Sequence, residues 1–224
     1  MAVSVVCFDL YGTLFDLDGL EPLVREYTPM AEAMCEEWRR RQLQLAGVAN
    51  SSGRYMDFDR VTLVALHEIA PRFHLRLAPS DQKRLIDAWA ALPVFDDVLP
   101  ALQTITTRKL PILALTNAVA STARNALAHA EIAEYFRDVL SADTVKVYKP
   151  NAAVYGQVTT NGLYPEDVLF FSSNDWDAMG ASQAGFHSVW VNRRGALAGM
   201  RNERTIPGLH AVESVLDELG AGIR

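Results

Sequence analysis

Short apolar runs that end in polar residues are the feature that most constrains the fold of this chain of 224 residues. The first run, residues 3–8, is rich in β-branched side chains and passes directly into Asp9. Later runs of the same kind occupy residues 112–115, 168–171 and 188–191. An uninterrupted apolar run of this length is typical of a parallel strand that is buried on both faces. Helical patterns lie between the runs, so we predict an α/β fold with a doubly wound parallel sheet.

Residues 16–92 have a different character, because they contain helical patterns and no strand-like run. We predict helices over residues 30–45 and 58–73, a loop at residues 50–53, and a third helix with Ser80 as its N-cap. The predicted organisation is therefore a core domain, residues 1–15 and 93–224, with an inserted all-helical cap subdomain, residues 16–92.

The composition limits the partners that the chain can bind. It carries 21 Lys and Arg against 27 Asp and Glu, a net charge of -6. An acidic chain has no electrostatic basis for binding nucleic acid or an anionic membrane, although local cations can still hold a small anion. No stretch has the apolar length needed to cross a bilayer, and the first residues do not resemble a signal peptide. We therefore expect a cytoplasmic protein.

Polar residues cluster after the predicted strands, where ligands bind in open parallel sheets. Asp9 follows the first run, and Lys149 follows residues 145–148, which we interpret as a further strand end. The other polar residues at these ends are Thr13, Thr116, Asn117, Ser172, Asn174, Asp175 and Asp177. A carboxylate, a cation and hydrogen-bonding groups in one crevice suit covalent catalysis, with Asp9 as the nucleophile.

Each of these residues also has an ordinary structural explanation. An Asp after a strand is often only a turn or helix cap, and Lys149, which precedes Pro150, could be solvated. Each such explanation is local, and none predicts the others. The occurrence of all these residues in this order therefore favours a functional site.

Four motifs carry a resemblance to a known superfamily: residues 9–14, 116–117, 149–150 and 172–177. They resemble the four motifs of the haloacid dehalogenase superfamily, and the chain most resembles its L-2-haloacid dehalogenases. The resemblance extends over nearly the whole chain and includes residues 38–39, 42–43 and 55–58 of the predicted cap. It implies a Rossmann-like core with a helical cap.

Two positions distinguish this chain from the phosphatases of the superfamily. Those enzymes carry a second Asp two residues after the nucleophile, where this chain has Tyr11. They also carry a metal-binding Asp near the position of Ser172. A phosphoryl group usually needs a metal to neutralise its charge, whereas a carbon–halogen bond does not. The resemblance therefore implies an enzyme without a metal and without any other cofactor.

The resemblance also implies a mechanism in two steps. Asp9 attacks C2 of an (S)-2-haloacid and displaces the halide with inversion. Water then attacks the side-chain carbonyl of the resulting ester and releases an (R)-2-hydroxyacid. Thr13 orients Asp9, and Lys149, with Tyr155 nearby, holds its charge. The other implied catalytic residues are Arg39 for the halide, with Asn117 beside it, and Ser172, Asn174 and Asp177 for positioning Lys149 and the hydrolytic water.

Arg39 begins a run of three arginines, and such a run is commonly a solvated helix face. Adjacent helix positions lie about 100° apart, so the three side chains cannot all face one cleft. The pairing of Trp38 with Arg39 in the resemblance selects Arg39 as the one that lines the site.

The resemblance assigns a second group of residues to substrate binding. The backbone N–H groups of Leu10 and Tyr11, together with Thr116, would bind the substrate carboxylate. Leu43, Phe58 and Trp176 would form an apolar wall, although plain core packing explains each of them equally well. Thr116, Ala118 and Asp175 depart from the residues that are common in the family.

Other functions stay open from the sequence alone. The chain could hydrolyse fluoroacetate, another C2-electrophile or a phosphoester with the same fold, or it could be a non-catalytic relative. The main interpretation is a hydrolytic dehalogenase whose partner is a small anionic 2-haloalkanoate. A homodimer is a further expectation that the resemblance carries.

Overall fold

The computed structural model describes residues 3–160, 162–197 and 204–221. Six strands lie in these ranges: β1 (Val5–Phe8), β2 (Ile112–Thr116), β3 (Phe136–Ser141), β4 (Val168–Ser172), β5 (His187–Val191) and β6 (Thr205–Ile206). They form one sheet in the order β3-β2-β1-β4-β5-β6, and every neighbouring pair is parallel. Strand β1 is central, so the residue that follows it lies in the middle of the sheet edge.

The central strand shows why the sequence has no polar alternation there. Val6 and Phe8 contact one hydrophobic core, whereas Val5 and Cys7 contact the other. Successive side chains of a strand point to opposite faces, so burial of both faces requires an uninterrupted apolar run. The predicted α/β fold with a doubly wound parallel sheet is confirmed.

Ten helices accompany the sheet within the described ranges. They are α1 (Glu21–Val24), α2 (Ala31–Ser52), α3 (Phe58–Ile69), α4 (Pro79–Asp87), α5 (Val98–Thr107), α6 (Ala120–His129), α7 (Ala142–Val145), α8 (Ala152–Gly156), α9 (Asp175–Gln183) and α10 (Val212–Glu218). The first four follow β1 and form the predicted helical cap. None of the helices in the described ranges is both long and apolar enough to span a membrane.

The chain enters and leaves the cap through two neighbouring segments. The backbone N–H of Asp16 donates to the carbonyl of Pro93 at 2.8 Å, and the N–H of Phe95 donates to the carbonyl of Leu14 at 3.0 Å. These hydrogen bonds tie both ends of the insert together. The division into residues 1–15 and 93–224 for the core, and 16–92 for the cap, stays a prediction.

Two predicted features of the cap are wrong in detail. Helix α2 continues to Ser52 and ends at Gly53, whose φ of 65° lies in the left-handed region, so residues 50–52 are helical. Helix α4 begins at Pro79, which fits the first helical position, with Ala78 as its N-cap. Ser80 is therefore inside the helix and does not cap it.

The sequence interpretation also misplaced one strand and missed two. Residues 145–148 are not a strand, because α7 ends at Val145 and Lys146 has a φ of 55°. The strand that precedes Lys149 is β3, which lies at the sheet edge and exposes Arg137 and Asp138. An edge strand with exposed polar residues lacks the apolar run that identified the others. Strand β6 has only two residues.

Candidate active site

Asp9 lies directly beyond the carboxyl end of β1 and is only 7% exposed. Its Oδ1 accepts a hydrogen bond from Nζ of Lys149 at 3.1 Å. Its Oδ2 accepts from the hydroxyl of Thr13 at 3.0 Å and, at the longer distance of 3.4 Å, from Nδ2 of Asn174. The structure therefore brings three other predicted catalytic residues, Lys149, Thr13 and Asn174, around the carboxylate of Asp9.

A tight turn after β1 brings Thr13 back to Asp9. The carbonyl of Leu10 accepts from the backbone N–H groups of Thr13, Leu14 and Phe15, at 3.2, 2.8 and 3.0 Å. Gly12 has a φ of 92°, which L-residues with a side chain rarely adopt, so glycine is needed there. The sequence after Asp9 thus folds locally into a turn that points the Thr13 hydroxyl at the carboxylate.

Lys149 lies between two carboxylates in a buried position. Its Nζ is 3.1 Å from Asp9 and 2.9 Å from Oδ2 of Asp177, and its side chain is 1% exposed. Burial disfavours the charged amine, but attraction by Asp177 and Asp9 outweighs it and holds the pKa of Lys149 above its ordinary value. The carbonyl oxygen of the Asn117 side chain accepts the backbone N–H of Lys149 at 2.9 Å. Asn117 therefore holds the backbone of Lys149.

Asp177 is held by three donors. Lys149 and the hydroxyl of Ser172 both donate to its Oδ2, the latter at 2.8 Å. The hydroxyl of Tyr155 donates to its Oδ1 at 2.7 Å. Burial and the neighbouring Asp177 raise the pKa of Tyr155, so the phenol stays protonated and remains a donor. Asp177, Ser172 and Tyr155 thus form a fixed support for the lysine.

Arg39 approaches the site from α2 and is half-buried. Its guanidinium makes two long hydrogen bonds, to Oε1 of Gln42 at 3.4 Å and to the carbonyl of Tyr11 at 3.5 Å. Burial lowers the pKa of Arg39, and the negative charge of Asp9 opposes that shift. An arginine stays charged at neutral pH even after such a shift, so the cap supplies a second cation near Asp9.

A cleft of about 620 Å³ opens beside these residues. Four predicted site residues line it, namely Tyr11, Arg39, Leu43 and Asn174. Its aromatic wall includes Trp89, whose ring centroid lies 6.1 Å from that of Tyr11. The volume is in the range of small-molecule sites in proteins.

Five of the predicted substrate-binding residues lie outside the lining of this cleft: Leu10, Phe58, Thr116, Asn117 and Trp176. Phe58 packs edge-on against Tyr148, with ring centroids 5.7 Å apart. The hydroxyl of Thr116 is buried and accepts the backbone N–H of Ala118 at 3.1 Å. Trp176 is half-buried at the start of α9. Their roles, like those of the other predicted site residues, stay predictions.

Sequence reasoning missed several residues that hold the site. The backbone N–H of Ser173 donates to the hydroxyl of Thr13 at 2.8 Å. Gln42, which is fully buried, links Arg39 to the hydroxyl of Thr62. Arg193 donates to the carbonyl of Thr13. Arg193 follows β5, so the rule that locates ligands at strand ends could have drawn attention to it.

These features define a class: a capped α/β protein with a buried aspartate at the end of its central strand, held by a lysine. The family model for haloacid dehalogenase-like hydrolases matches residues 3–185. An (S)-2-haloacid dehalogenase of Pseudomonas sp. (strain YL) is 34% identical over 195 residues, which cover 86% of this chain and 84% of that protein. The (S)-2-haloacid dehalogenase 2 of Pseudomonas sp. (strain CBS-3) is 31% identical over 217 residues, 95% of each chain.

Solved structures agree with these sequence comparisons. The L-2-haloacid dehalogenase from Xanthobacter autotrophicus has a TM-score of 0.88 and 27% identity, over 96% of this chain and 99% of that one. A structure of that enzyme with chloropropionic acid covalently bound gives a TM-score of 0.88 at 26% identity, over 96% and 98% of the two chains. The chain therefore belongs to the haloacid dehalogenase-like hydrolases and, within them, to the (S)-2-haloacid dehalogenases.

Proposed function

We propose that the protein hydrolyses (S)-2-haloacids to (R)-2-hydroxyacids and halide through an ester on Asp9. One observation carries the proposal: the buried carboxylate of Asp9 is paired with Lys149, whose other side is held by Asp177. A buried cation keeps a carboxylate ionised where little water surrounds it, and such a carboxylate is a competent nucleophile. The covalently bound chloropropionic acid in the Xanthobacter enzyme supports an intermediate of this kind.

In the first step, an oxygen of Asp9 forms a bond to C2 of the substrate, opposite the halogen. The carbon–halogen bond breaks, the halide leaves with the electron pair, and C2 inverts. Thr13 and Asn174 orient the attacking carboxylate. Arg39, with Asn117 beside it, stabilises the charge that develops on the halide, and the poorly hydrated surroundings strengthen this interaction.

In the second step, water adds to the side-chain carbonyl carbon of the ester. The bond between that carbon and the former Asp9 oxygen now attached to C2 breaks, one proton of the water goes to the departing alkoxide, and the other goes to solvent. C2 is not touched again, so the product keeps the inverted configuration. Ser172, Asn174 and Asp177 position Lys149 and the water, and Tyr155 holds Asp177.

Substrate recognition needs donors for the carboxylate and an apolar surface for the alkyl part. We assign the carboxylate to the backbone N–H groups of Leu10 and Tyr11 with Thr116. Leu43 lines the cleft, and Phe58 and Trp176 complete the apolar wall in this assignment. The site takes a small anionic 2-haloalkanoate, which brings its own negative charge to Lys149 and Arg39.

The proposal includes no metal and no other cofactor. The ammonium of Lys149 lies between Asp9 and Asp177 and supplies the positive charge that a metal supplies in phosphatases. Tyr11 replaces the second aspartate that phosphatases use. A cytoplasmic location and a homodimer are the finer parts of the proposal, and light scattering after size-exclusion chromatography tests the dimer.

Halide release from (S)- and (R)-2-chloropropionate, without added metal, tests the function. We expect chloride from the (S) substrate with the wild type and with the control Asp138→Asn, whose carboxylate lies on the exposed sheet edge. We expect none with Asp9→Asn. Release only from the (R) substrate would contradict the stereochemistry, and magnesium-dependent phosphate release in place of halide release would favour a phosphatase. A folded protein that is inert toward halo acids would favour a non-catalytic relative.

A further inference from the structure

Arg193 and Asp97 form a largely buried ion pair beside the turn that follows Asp9. Nη1 of Arg193 lies 2.9 Å from Oδ2 of Asp97, and Nη2 lies 2.9 Å from Oδ1. The two side chains are 12% and 18% exposed. A bidentate ion pair of this kind fixes the plane of the guanidinium as well as its position.

The same guanidinium also holds the backbone of Thr13. Nε of Arg193 donates to the Thr13 carbonyl at 3.1 Å, and Nη2 donates to the same oxygen at 2.8 Å. The ring of Phe95 lies 3.8 Å from the guanidinium carbon and covers one face of it. The guanidinium of Arg193 thus contacts the Asp97 carboxylate with one edge and the Thr13 carbonyl with another, and Phe95 packs against its face.

We call the Arg193–Asp97 pair and its contact with the Thr13 carbonyl the clamp. Thr13 connects the clamp to the nucleophile. Its hydroxyl accepts the backbone N–H of Ser173 at 2.8 Å and donates to Oδ2 of Asp9 at 3.0 Å. A hydroxyl has one proton to donate, and the Ser173 hydroxyl at 3.2 Å competes for it. Holding the Thr13 backbone therefore fixes how close its hydroxyl oxygen lies to Asp9.

Asp97 is itself anchored by a second part of the core. Its Oδ2 accepts the backbone N–H of Leu209 at 2.7 Å. Burial opposes ionisation of this carboxyl, but the hydrogen bonds and charge of Arg193 outweigh burial and hold the pKa of Asp97 below its ordinary range. The clamp is therefore a charged, fixed link between the start of α5, the second residue after β5 and the turn after β1.

We infer that Arg193, held by Asp97, is a positioning residue that fixes Thr13 so that its hydroxyl orients the Asp9 carboxylate. The inference rests on the proposed function, because it assigns a role in the attack of Asp9 on carbon. Lysine could not replace Arg193, since an ammonium lacks the planar set of N–H donors that binds a carboxylate and a carbonyl at once.

The test compares Arg193→Ala with a matched control, Arg108→Ala. Arg108 is 19% exposed, pairs with Asp217 at 2.5 Å and donates to the carbonyl of Ala221 at 3.4 Å, so it makes the same kinds of contact away from Asp9. We expect Arg193→Ala to lower kcat and the single-turnover rate of ester formation about 10- to 100-fold, with KM changed less than about threefold. Arg108→Ala should leave all three within about twofold.

A second variant and a structural readout keep the test decisive. Asp97→Asn keeps the shape of the clamp and removes its charge, and we expect the same pattern with a smaller loss of kcat, even where Arg193→Ala does not fold. In crystal structures of the variants, the Thr13 hydroxyl should lie beyond about 3.5 Å from Asp9, outside hydrogen-bonding distance. Unchanged kcat, a loss confined to KM, or a retained Thr13–Asp9 hydrogen bond would overturn the inference.

The structural readout also separates this inference from the proposed function. A wild type that releases no halide would refute the function. The Thr13–Asp9 distance in the variants needs no substrate, so it tests the clamp in either case.

Discussion

Nζ of Lys149 lies 3.1 Å from Oδ1 of Asp9, and both side chains are almost entirely buried. This contact joins the end of the central strand to the loop between α7 and α8. Two charges in such surroundings are stable only when each has a partner, because desolvation of either charge alone is costly. The pair therefore explains how a buried aspartate can act as a nucleophile in this pocket.

Replacement of Lys149 by Met should remove activity and reduce stability. Asp9 and Asp177 would then be buried without their shared cation, which costs about 3 kcal/mol in the free energy of unfolding. We expect kcat for chloride release to fall by about 10³-fold or more. Lys146→Met is the control, because Lys146 is exposed, lies three residues earlier, pairs with Asp143 and lies over the ring of Tyr55. Equal losses in the two variants would contradict the role of Lys149.

Deprotonation of Lys149 should remove its stabilising effect on the alkaline side. Attraction by Asp177 and Asp9 outweighs burial and raises the pKa of Lys149, so the folded state holds its proton more tightly than the unfolded state. The contribution is complete below the unfolded pKa of about 10.4 and is lost as pH rises through the still higher folded value. Urea unfolding of the wild type and Lys149→Met checks this. Burial raises the pKa of Asp177, and the loss of Lys149 removes a charge that opposes this shift, so the difference should stay level or grow as pH rises to about 10. A decrease between about pH 7 and 9 would contradict the assignment.

Chelation should leave the activity unchanged. Lys149 lies between the carboxylates of Asp9 and Asp177 and provides their neutralising charge. We expect the same rate of chloride release after dialysis against EDTA, and no increase when Mg²⁺ is added. A loss of activity in EDTA that Mg²⁺ restores would show that a metal takes part in catalysis.

Asn50 should link the cap to Lys149. Its side chain donates to the carbonyl of Tyr148 at 2.8 Å and accepts the backbone N–H of the same residue at 2.8 Å. Asn50→Ala leaves both backbone groups without these partners, so we expect a loss of about 1–2 kcal/mol in the free energy of unfolding. Because Lys149 is the next residue, kcat should fall severalfold.

Ser51→Ala is the matched control for Asn50. Ser51 is exposed and, within the described ranges, donates only to the carbonyl of Gly47, one turn earlier in α2. Its replacement should leave kcat and stability near their wild-type values. An Asn50→Ala variant that behaves like Ser51→Ala in thermal unfolding and kcat would show that the link has no consequence.

The sequence could predict the central strands because burial on both faces requires an uninterrupted apolar run. Strand β1 is apolar at every position, whereas the edge strand β3 exposes Arg137 and Asp138 and was missed. The approach of Lys149 to Asp9 followed from the convergence of strand ends, although the residues before Lys149 are helix and loop.

Contacts that depend on the direction of single side chains could not be predicted. The clamp from Arg193 to the Thr13 carbonyl joins residues 180 positions apart, and no spacing in the sequence encodes it. The two hydrogen bonds between Asn50 and Tyr148 also join residues that are distant in the sequence. The end of α2 was also placed too early, because serine and glycine at its end resembled a loop.

The most direct test of the account is a single turnover in water labelled with ¹⁸O, with enzyme in excess over (S)-2-chloropropionate. If Asp9 forms the ester and water attacks its side-chain carbonyl, the product oxygen comes from Asp9. We predict that mass spectrometry finds the label in the peptide that contains Asp9 and not in the 2-hydroxyacid of the first turnover. Label in that product, with an unlabelled Asp9 peptide, would mean that water attacks C2 directly and would contradict the nucleophilic role of Asp9.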